Sequence, residues 1–239
     1  MDIQRVEQAN DSFTINSLVY TPNANNDRNM AIVMGHGFSV SKHHLDGLAS
    51  HLCYFGYEVI NFDFPGHKMG ASRGKLEHPY QLVESFELAR RCTTRERMVL
   101  LGHSMGAAAA VRAAVEMDEV HGLVVLGMGA DPTARFGDKI VTSAFKWGEL
   151  YVEGLDAAAF LTQIKDQLLP YMAKINVPSL IIGGTKDFII PVGEVKKLSE
   201  LAQHPSTVKL LPCTHNDLPE EAKKDVRKWL EESFEENNQ

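Results

Sequence analysis

Residues 99–110, VLLGHSMGAAAA, constrain the fold more than any other stretch of the chain. The apolar residues 99–101 predict a short buried strand, and the alanine-rich run after Gly106 predicts a helix. Ser104 therefore lies on the turn between them, with Gly102 and Gly106 two residues away on either side. A sharp strand-to-helix turn needs such residues, because a Cβ at either position would collide with the backbone.

The pattern Gly-x-Ser-x-Gly also has a plain interpretation, in which Ser104 only caps the helix of an ordinary strand–helix turn. By chance the pattern is expected ~0.1 times in a chain of this length. Its position after an apolar strand and before a helix is the context that a catalytic serine requires, and strained turns of this kind cluster at functional sites. The sequence therefore favours Ser104 as a nucleophile.

Strand-like and helix-like segments alternate along the chain, which predicts an α/β fold whose mostly parallel central sheet is covered by helices on both faces. The predicted strands are 13–20, 31–34, 57–62, 97–101, 120–126, 179–182 and 207–211. The predicted helices are 45–55, 79–92, 105–117, 193–202 and 218–234. Between about 131 and 177 the alternation stops, and the sequence predicts two or three helices. We expect a single domain, residues 1–239, with a short helical cap at 131–177.

A nucleophilic serine needs a histidine as base and an acid that orients the histidine. In a parallel sheet, catalytic groups gather beyond the carboxyl ends of the strands. Asp187 follows the predicted strand 179–182, and His215 follows the last predicted strand. Asp131 is an alternative acid, because it too follows a strand. Met105, directly after Ser104 at the positive end of the helix, can donate its backbone N–H to a developing oxyanion.

With these landmarks in order, the chain resembles the α/β-hydrolase family, and in particular its small cytosolic serine esterases and acylglycerol-lipase-like members. The resemblance rests on residues 36–38 (HGF), 63–66 (DFPG), 102–106 (GHSMG) and the pair Asp187 and His215. It implies the triad Ser104, Asp187 and His215, and it favours Asp187 over Asp131 because GTKDFIIP matches the common acid loop. The resemblance also makes the backbone N–H of Phe38 the second oxyanion donor.

The chain departs from the family pattern after Gly66, where the loop GHKMGAS is longer than usual. No catalytic role is therefore carried onto Lys68 or Met69. His36 and His103 are expected to pack beneath the site and to set loop positions, and His67 is expected to be structural.

The segment 131–177 carries aromatic residues at helical spacing. Trp147, Tyr151 and Leu155 are four residues apart, and so are Phe160, Ile164 and Leu168. Such stripes indicate packing against a core, and in a cap they can also line an acyl pocket. We expect Phe145, Trp147 and Tyr151 to line a pocket for short-to-medium acyl or aromatic groups.

Charge and composition exclude several classes of protein. The net charge of −7 argues against binding to nucleic acid or to an anionic membrane. The N-terminus is charged where a signal peptide is apolar, and no apolar run approaches the ~20 residues of a membrane span. The three cysteines lack metal or disulfide spacing, which favours the cytoplasm. No carboxylate or cysteine completes a metal site around His43, His44 and His51, so we expect neither a metal nor an organic cofactor.

The sequence predicts hydrolysis of a small-molecule carboxylic ester through an acyl-enzyme. Spacing alone leaves thioester hydrolysis, acyl transfer, and amide or C–C bond cleavage open on the same triad. It also leaves open a ligand-binding protein without catalysis, although a receptor has no need of all three triad residues. The oligomeric state does not follow from the sequence.

Overall fold

The structure is a computed structural model that describes residues 1–131, 143 and 146–234. The described strands are β1 (Asp2–Ala9), β2 (Thr14–Thr21), β3 (Met30–Gly35), β4 (Glu58–Phe62), β5 (Arg97–His103), β6 (Val120–Leu126), β7 (Ser179–Gly184) and β8 (Ser206–Leu211). The described α-helices are α1 (Asp46–Tyr54), α2 (Tyr80–Arg90), α3 (Met105–Glu116), α4 (Ala157–Gln167), α5 (Val192–Leu201), α6 (Leu218–Glu221) and α7 (Lys223–Phe234). Short 3-10 helices lie at Ala24–Asn26, Lys42–Leu45 and Leu169–Lys174.

The strands form a single eight-stranded sheet in the order β1-β2-β4-β3-β5-β6-β7-β8. β1 and β2 are antiparallel to their neighbours, and β3 to β8 all run parallel. The register pairs Gly35 at the end of β3 with Gly102 of β5, so the carboxyl ends of these strands meet at one edge of the sheet. The predicted mostly parallel sheet is confirmed.

Two apolar cores cover the two faces of the sheet, because alternate residues of a strand point to opposite sides. Ala31 and Val33 of β3 pack in one core with α2, α3, α4 and α5. Ile32 and Met34 pack in the other core with α1, α6 and α7. Strands buried on both faces read as continuous apolar runs, which is why β3 and β5 are predictable from the sequence.

The predicted strands and helices agree with the structure to within two residues at each end, except that the helix predicted at 218–234 is divided into α6 and α7. β1 was not predicted. It lies at the edge of the sheet, pairs only with β2, and exposes most of its side chains, so it carries no apolar run or regular alternation.

The segment after residue 145 corrects part of the sequence prediction. Helical structure at 146–149 ends before Tyr151, and the chain then runs extended beside the long loop that follows β4. The Lys68 N–H donates to the Tyr151 carbonyl at 2.9 Å, and the Leu76 N–H donates to the Glu153 carbonyl at 2.8 Å. Because this pairing satisfies the backbone, Trp147, Tyr151 and Leu155 do not form a helical stripe. We call residues 146–155 the rim segment.

The second predicted stripe is confirmed, since Phe160, Ile164 and Leu168 are all buried. Residues 132–142 and 144–145 lie outside the described residues, so the number of helices in 131–177, and the assignment of one domain with a cap, stay predictions. Among the helices of the described ranges, none has the length and apolar character needed to cross a membrane.

Candidate active site

Ser104 stands on the turn between β5 and α3 in a backbone conformation that L-residues rarely adopt, with φ 53° and ψ −115°. A Cβ on Gly102 would lie 2.1 Å from the Gly106 carbonyl oxygen, and one on Gly106 would lie 2.2 Å from that of Gly35. Both glycines are therefore required by close approach of the backbone. The strained turn places Ser104 between the sheet and the start of α3, where its side chain faces a cavity.

His215 and Asp187 form a buried pair. The Nδ1 of His215 lies 2.7 Å from Oδ2 of Asp187, and the other carboxylate oxygen accepts the N–H groups of Ile189 at 2.7 Å and Ile190 at 2.8 Å. Because an ionised carboxylate only accepts hydrogen bonds, the proton between these two side chains lies on Nδ1 of His215. That contact leaves Nε2 of His215 as the basic nitrogen.

Ser104 and His215 line the same cavity, whose volume is about 220 Å³. Its other described lining residues are Gly37, Phe38, Ser39, Val40, His44, His103, Gly148, Ile189 and Asn216. None of these described residues is an aspartate, glutamate, lysine or arginine. The cavity therefore suits an uncharged group.

Asp131, the alternative acid, lies elsewhere. Its carboxylate is 3.4 Å from the Lys165 ammonium, and its backbone N–H donates to Glu194 at 2.9 Å. The structure brings Asp187, and not Asp131, to His215.

Neighbouring histidines hold the backbone of the loop that carries His215. Nε2 of His103 donates to the His215 carbonyl at 3.0 Å, and Nε2 of His44 donates to the Asn216 carbonyl at 2.9 Å. Burial of His103, together with the neighbouring His215 and His44, holds its pKa well below the usual value. His103 is thus a neutral donor that fixes the loop, as expected from the sequence.

His36 links two loops beneath the cavity. Its Nδ1 donates to the Gly37 carbonyl at 2.7 Å, and its Nε2 accepts the N–H of Phe64 at 3.1 Å. Burial lowers the pKa of His36 to about 3, and burial likewise lowers the pKa of His67 to about 4. Nδ1 of His67 donates to the Pro65 carbonyl at 3.0 Å, so both rings are structural and neutral.

The two expected oxyanion donors lie beside the serine. Met105 is the first residue of α3, so its N–H has no acceptor within the helix and sits at the positive helix end. Phe38 lines the cavity, and its ring stacks on Phe160 at 4.8 Å between centroids. A Cβ on Gly37, the residue before Phe38, would lie 3.5 Å from Cβ of Ser104.

The aromatic residues expected to line the pocket are placed differently. The side chains of Trp147 and Tyr151 are 77% and 47% exposed, and neither lines the cavity. Gly148, which lies between them in the sequence, reaches the cavity instead, because a Cβ on Gly148 would lie 2.7 Å from the Phe38 ring. Phe145 lies outside the described residues.

Main-chain hydrogen bonds continue past the ends of the strands and connect the loops that carry Ser104, Asp187 and His215. The Ser104 N–H donates to the Leu126 carbonyl at 2.8 Å, and the Gly127 N–H donates to the Ile182 carbonyl at 2.9 Å. The Thr185 N–H donates to the Leu211 carbonyl at 2.7 Å. The spacing of the strands therefore sets the distances between these loops.

Several residues around the cavity were not predicted. Asn216 follows His215 directly, and Ile189 follows Asp187, so both could have been found from their neighbours in the sequence. Lys42 and Asp63 form a buried ion pair behind the loop that carries Phe38, and nothing in the run SKHHL indicates a buried lysine. Across the described ranges, no group of three or more His, Cys, Asp or Glu residues is arranged to hold a metal ion.

Comparison with known proteins gives a consistent result. The sequence matches the profile of the Alpha/beta hydrolase family over residues 32–229. No curated protein matches the sequence.

Among solved structures, an esterase of Pyrococcus furiosus is similar at 22% identity and a TM-score of 0.74, with 98% of this chain and 92% of that chain covered. The enol-lactonase of Burkholderia xenovorans is similar at 17% identity and a TM-score of 0.73, covering 94% of this chain and 99% of that one. An esterase of Exiguobacterium antarcticum is similar at 17% identity and a TM-score of 0.73, with 95% of this chain and 98% of that chain covered. These likenesses extend over nearly the whole chain and show a shared fold.

Proposed function

This chain belongs to the alpha/beta hydrolase family, and on that premise we propose that it is a serine hydrolase that cleaves carboxylic esters through an acyl-enzyme. The observation that carries the proposal is the placement of Ser104, on a strained turn, and His215, bound to Asp187 at 2.7 Å, around one cavity. A binding protein would not need a serine held at positive φ opposite an oriented histidine.

In the proposed reaction, Oγ of Ser104 attacks the ester carbonyl carbon while Nε2 of His215 accepts the hydroxyl proton. Asp187 keeps the other proton on Nδ1 of His215 and stabilises the imidazolium that forms. The tetrahedral oxyanion accepts hydrogen bonds from the N–H groups of Met105 and Phe38. Collapse of the tetrahedral intermediate expels the alcohol, which takes its proton from His215. Water then attacks the acyl-serine and gives a proton to His215. The second collapse releases the acid and returns that proton to Oγ of Ser104.

The size and chemistry of the cavity support esters of short-to-medium acyl or aromatic groups. About 220 Å³ is smaller than the roughly 300–1,000 Å³ of pockets that enclose drug-sized ligands. The lining includes Phe38, Val40 and Ile189, and the described lining residues carry no acid or base other than histidine. A neutral, compact ester group fits this environment.

Partners and location belong to the same proposal. With a net charge of −7, the chain is proposed to act on a small-molecule ester in the cytoplasm, without nucleic acid or stable membrane association. The proposed chemistry uses no metal and no organic cofactor.

The proposal is tested by labelling with a fluorophosphonate probe, together with turnover of a p-nitrophenyl ester series from acetate to palmitate and of matched acyl thioesters. Ser104→Ala is expected to lose labelling and to lose 10⁴-fold or more in turnover while keeping its circular dichroism spectrum. Ser199→Ala, on α5 away from the cavity, is the matched control. Labelling at another residue, or turnover that persists in Ser104→Ala, would show that the proposed nucleophile is wrong.

A further inference from the structure

Among the residues that the structure describes, one lysine is completely buried, and it lies at the end of the loop that carries Phe38. Lys42 opens the 3-10 helix Lys42–Leu45, and only 1% of its surface is exposed. A lysine is almost never buried to this degree unless its ammonium is paired. Its ammonium contacts Oδ2 of Asp63, which is itself fully buried at the end of β4.

The backbone of Lys42 is held by the same strand end. Its N–H donates to Oδ1 of Asp63 at 2.8 Å, and its carbonyl accepts from Nδ2 of Asn61 at 2.9 Å. Lys42 is thus attached at three points, through its ammonium, its N–H and its carbonyl, to the side chains of Asp63, which directly follows β4, and of Asn61 in β4.

Asp63 is rigid in turn. It accepts the N–H of Ala71 at 2.8 Å, and a Cβ on Gly70 would lie 2.4 Å from its Cγ, so the loop after β4 closes over the carboxylate. Burial acts to raise the pKa of Asp63, but His36, the Lys42 ammonium, and the N–H groups of Lys42 and Ala71 together hold it below the usual value. The carboxylate is therefore ionised and fully bound.

The loop 37–41 is clamped at both ends by these contacts. At its start, His36 binds both the Gly37 carbonyl and the N–H of Phe64. At its end, Lys42 is bound by Asp63 and Asn61. Phe38 lies between the two clamps, and both clamps reach to the end of the same strand, β4, which neighbours β3 in the sheet.

We propose that Lys42, through its buried contact with Asp63, is a positioning residue that aims the Phe38 N–H at the oxyanion of the transition state. The inference rests on the proposed function. A buried ion pair adds little to stability compared with apolar residues of the same size, so a geometric role explains its presence better than a stabilising one. An oxyanion donor is sensitive to position, because a displacement of 1 Å can lower the rate on the order of 100-fold.

The test uses five proteins: the wild type, Lys42→Met, Lys42→Arg, the double variant Lys42→Met/Asp63→Asn, and Arg95→Met. The double variant leaves no unpaired buried charge, so it is expected to fold even if Lys42→Met does not. Arg95→Met removes a distant ion pair, in which Arg95 contacts Asp27 at 2.5 Å at the opposite ends of the strands, and controls for loss of stability alone.

Three quantities are measured on each protein: kcat and KM for p-nitrophenyl acetate, the inhibition constant of phenyl trifluoromethyl ketone, and the melting temperature. The ketone forms a tetrahedral adduct whose oxygen occupies the oxyanion position. We expect Lys42→Met and the double variant to lose about 10- to 100-fold in kcat and a similar factor in ketone affinity, with KM changed less than about threefold. Lys42→Arg is expected to recover part of the loss. Arg95→Met is expected to melt earlier with unchanged kinetics.

The proposal is overturned if the folded double variant keeps kcat and ketone affinity within about twofold of the wild type, or if Lys42→Met only melts earlier, as Arg95→Met does. Failure of the proposed function gives a different result, because the wild type would then show no turnover or labelling that depends on Ser104.

Discussion

The turn at Ser104 and the rim segment border the same cavity but are built in opposite ways. The turn is closed on every side by backbone, so that an added methyl group at Gly106 would lie 2.2 Å from a carbonyl oxygen. The rim segment is held by main-chain hydrogen bonds to the loop after β4 and leaves Trp147 and Tyr151 exposed. Only Gly148 of that segment lines the cavity.

The difference between the two regions lies in how directly the sequence determines the backbone conformation. At the turn, local sterics allow one type of residue at each position, so the residues identify the structure directly. In the rim segment, the aromatic spacing is compatible with a helix, but pairing with a loop some 80 residues earlier decides the conformation. Periodicity is weaker evidence than a steric requirement.

The largest effect is expected at Asp187, the proposed acid. Asp187→Asn should lower kcat/KM on the order of 10³- to 10⁴-fold, because the amide favours the wrong tautomer of His215. Asp131→Asn, whose carboxylate contacts Lys165 and not His215, should stay within about twofold. The measurement is kcat/KM on a p-nitrophenyl ester, with circular dichroism as the check on folding. The reverse order of effects would make Asp131 the acid.

A single added methyl group tests the steric requirement at Gly106. Gly106→Ala should lower the free energy of unfolding by about 3 kcal/mol or more, because the backbone of β3 must move to admit the Cβ. Gly193→Ala is the matched control, since nothing lies within 4 Å of its Cβ position in α5. The control should be neutral or stabilising by up to about 1 kcal/mol. Urea unfolding measures both, and equal stability of the two variants would refute the steric requirement.

Acid should lower the free energy of unfolding, because His36 and His67 beneath the turn are neutral in the folded protein, with pKa values of about 3 and about 4. Unfolded histidine titrates near 6.5, so the unfolded chain binds more protons below that pH. Stability should therefore fall as the pH drops from about 6.5 to about 4, by up to about 1.4 kcal/mol per pH unit for each histidine.

His67→Asn sharpens this test, since the amide can still donate to the Pro65 carbonyl but does not titrate. The unfolding free energy of this variant should fall less steeply with decreasing pH than that of the wild type. The difference in slope should be up to about 1.4 kcal/mol per pH unit, which corresponds to the uptake of one proton. A wild-type stability that does not change between pH 6.5 and 4.5 would contradict the neutral state of these buried rings.

The smallest effects are expected at the rim. Trp147→Ala should change the free energy of unfolding by less than about 0.5 kcal/mol, because the side chain is 77% exposed. Ile189→Ala, at a residue that lines the cavity, should shift the preference between acetate and longer acyl esters by about 1 kcal/mol, or about fivefold. The ratios of kcat/KM along the ester series measure this shift. A larger shift in Trp147→Ala than in Ile189→Ala would restore the rim aromatics as the specificity determinants.

Much of the fold follows from the sequence because buried parallel strands are apolar on both faces and end at recognisable turns. Ser104, Asp187 and His215 could be selected because each follows such a strand. The edge strand β1 could not be identified, since only its backbone pairs and its side chains face solvent. Lys42 could not be identified either, because its burial depends on a carboxylate 21 residues away in the sequence.

The hydrogen-bond ladder that joins Ser104 to Leu126, Gly127 to Ile182 and Thr185 to Leu211 has an evolutionary consequence. The strands that precede Ser104, Asp187 and His215 are spaced by roughly 4.8 Å each, and substitution of a side chain cannot change that spacing. Mutations in the surrounding loops can therefore accumulate without moving the reacting groups out of range of one another. A lineage that carries this framework can vary the residues around the cavity step by step while the relative positions of Ser104, Asp187 and His215 stay the same.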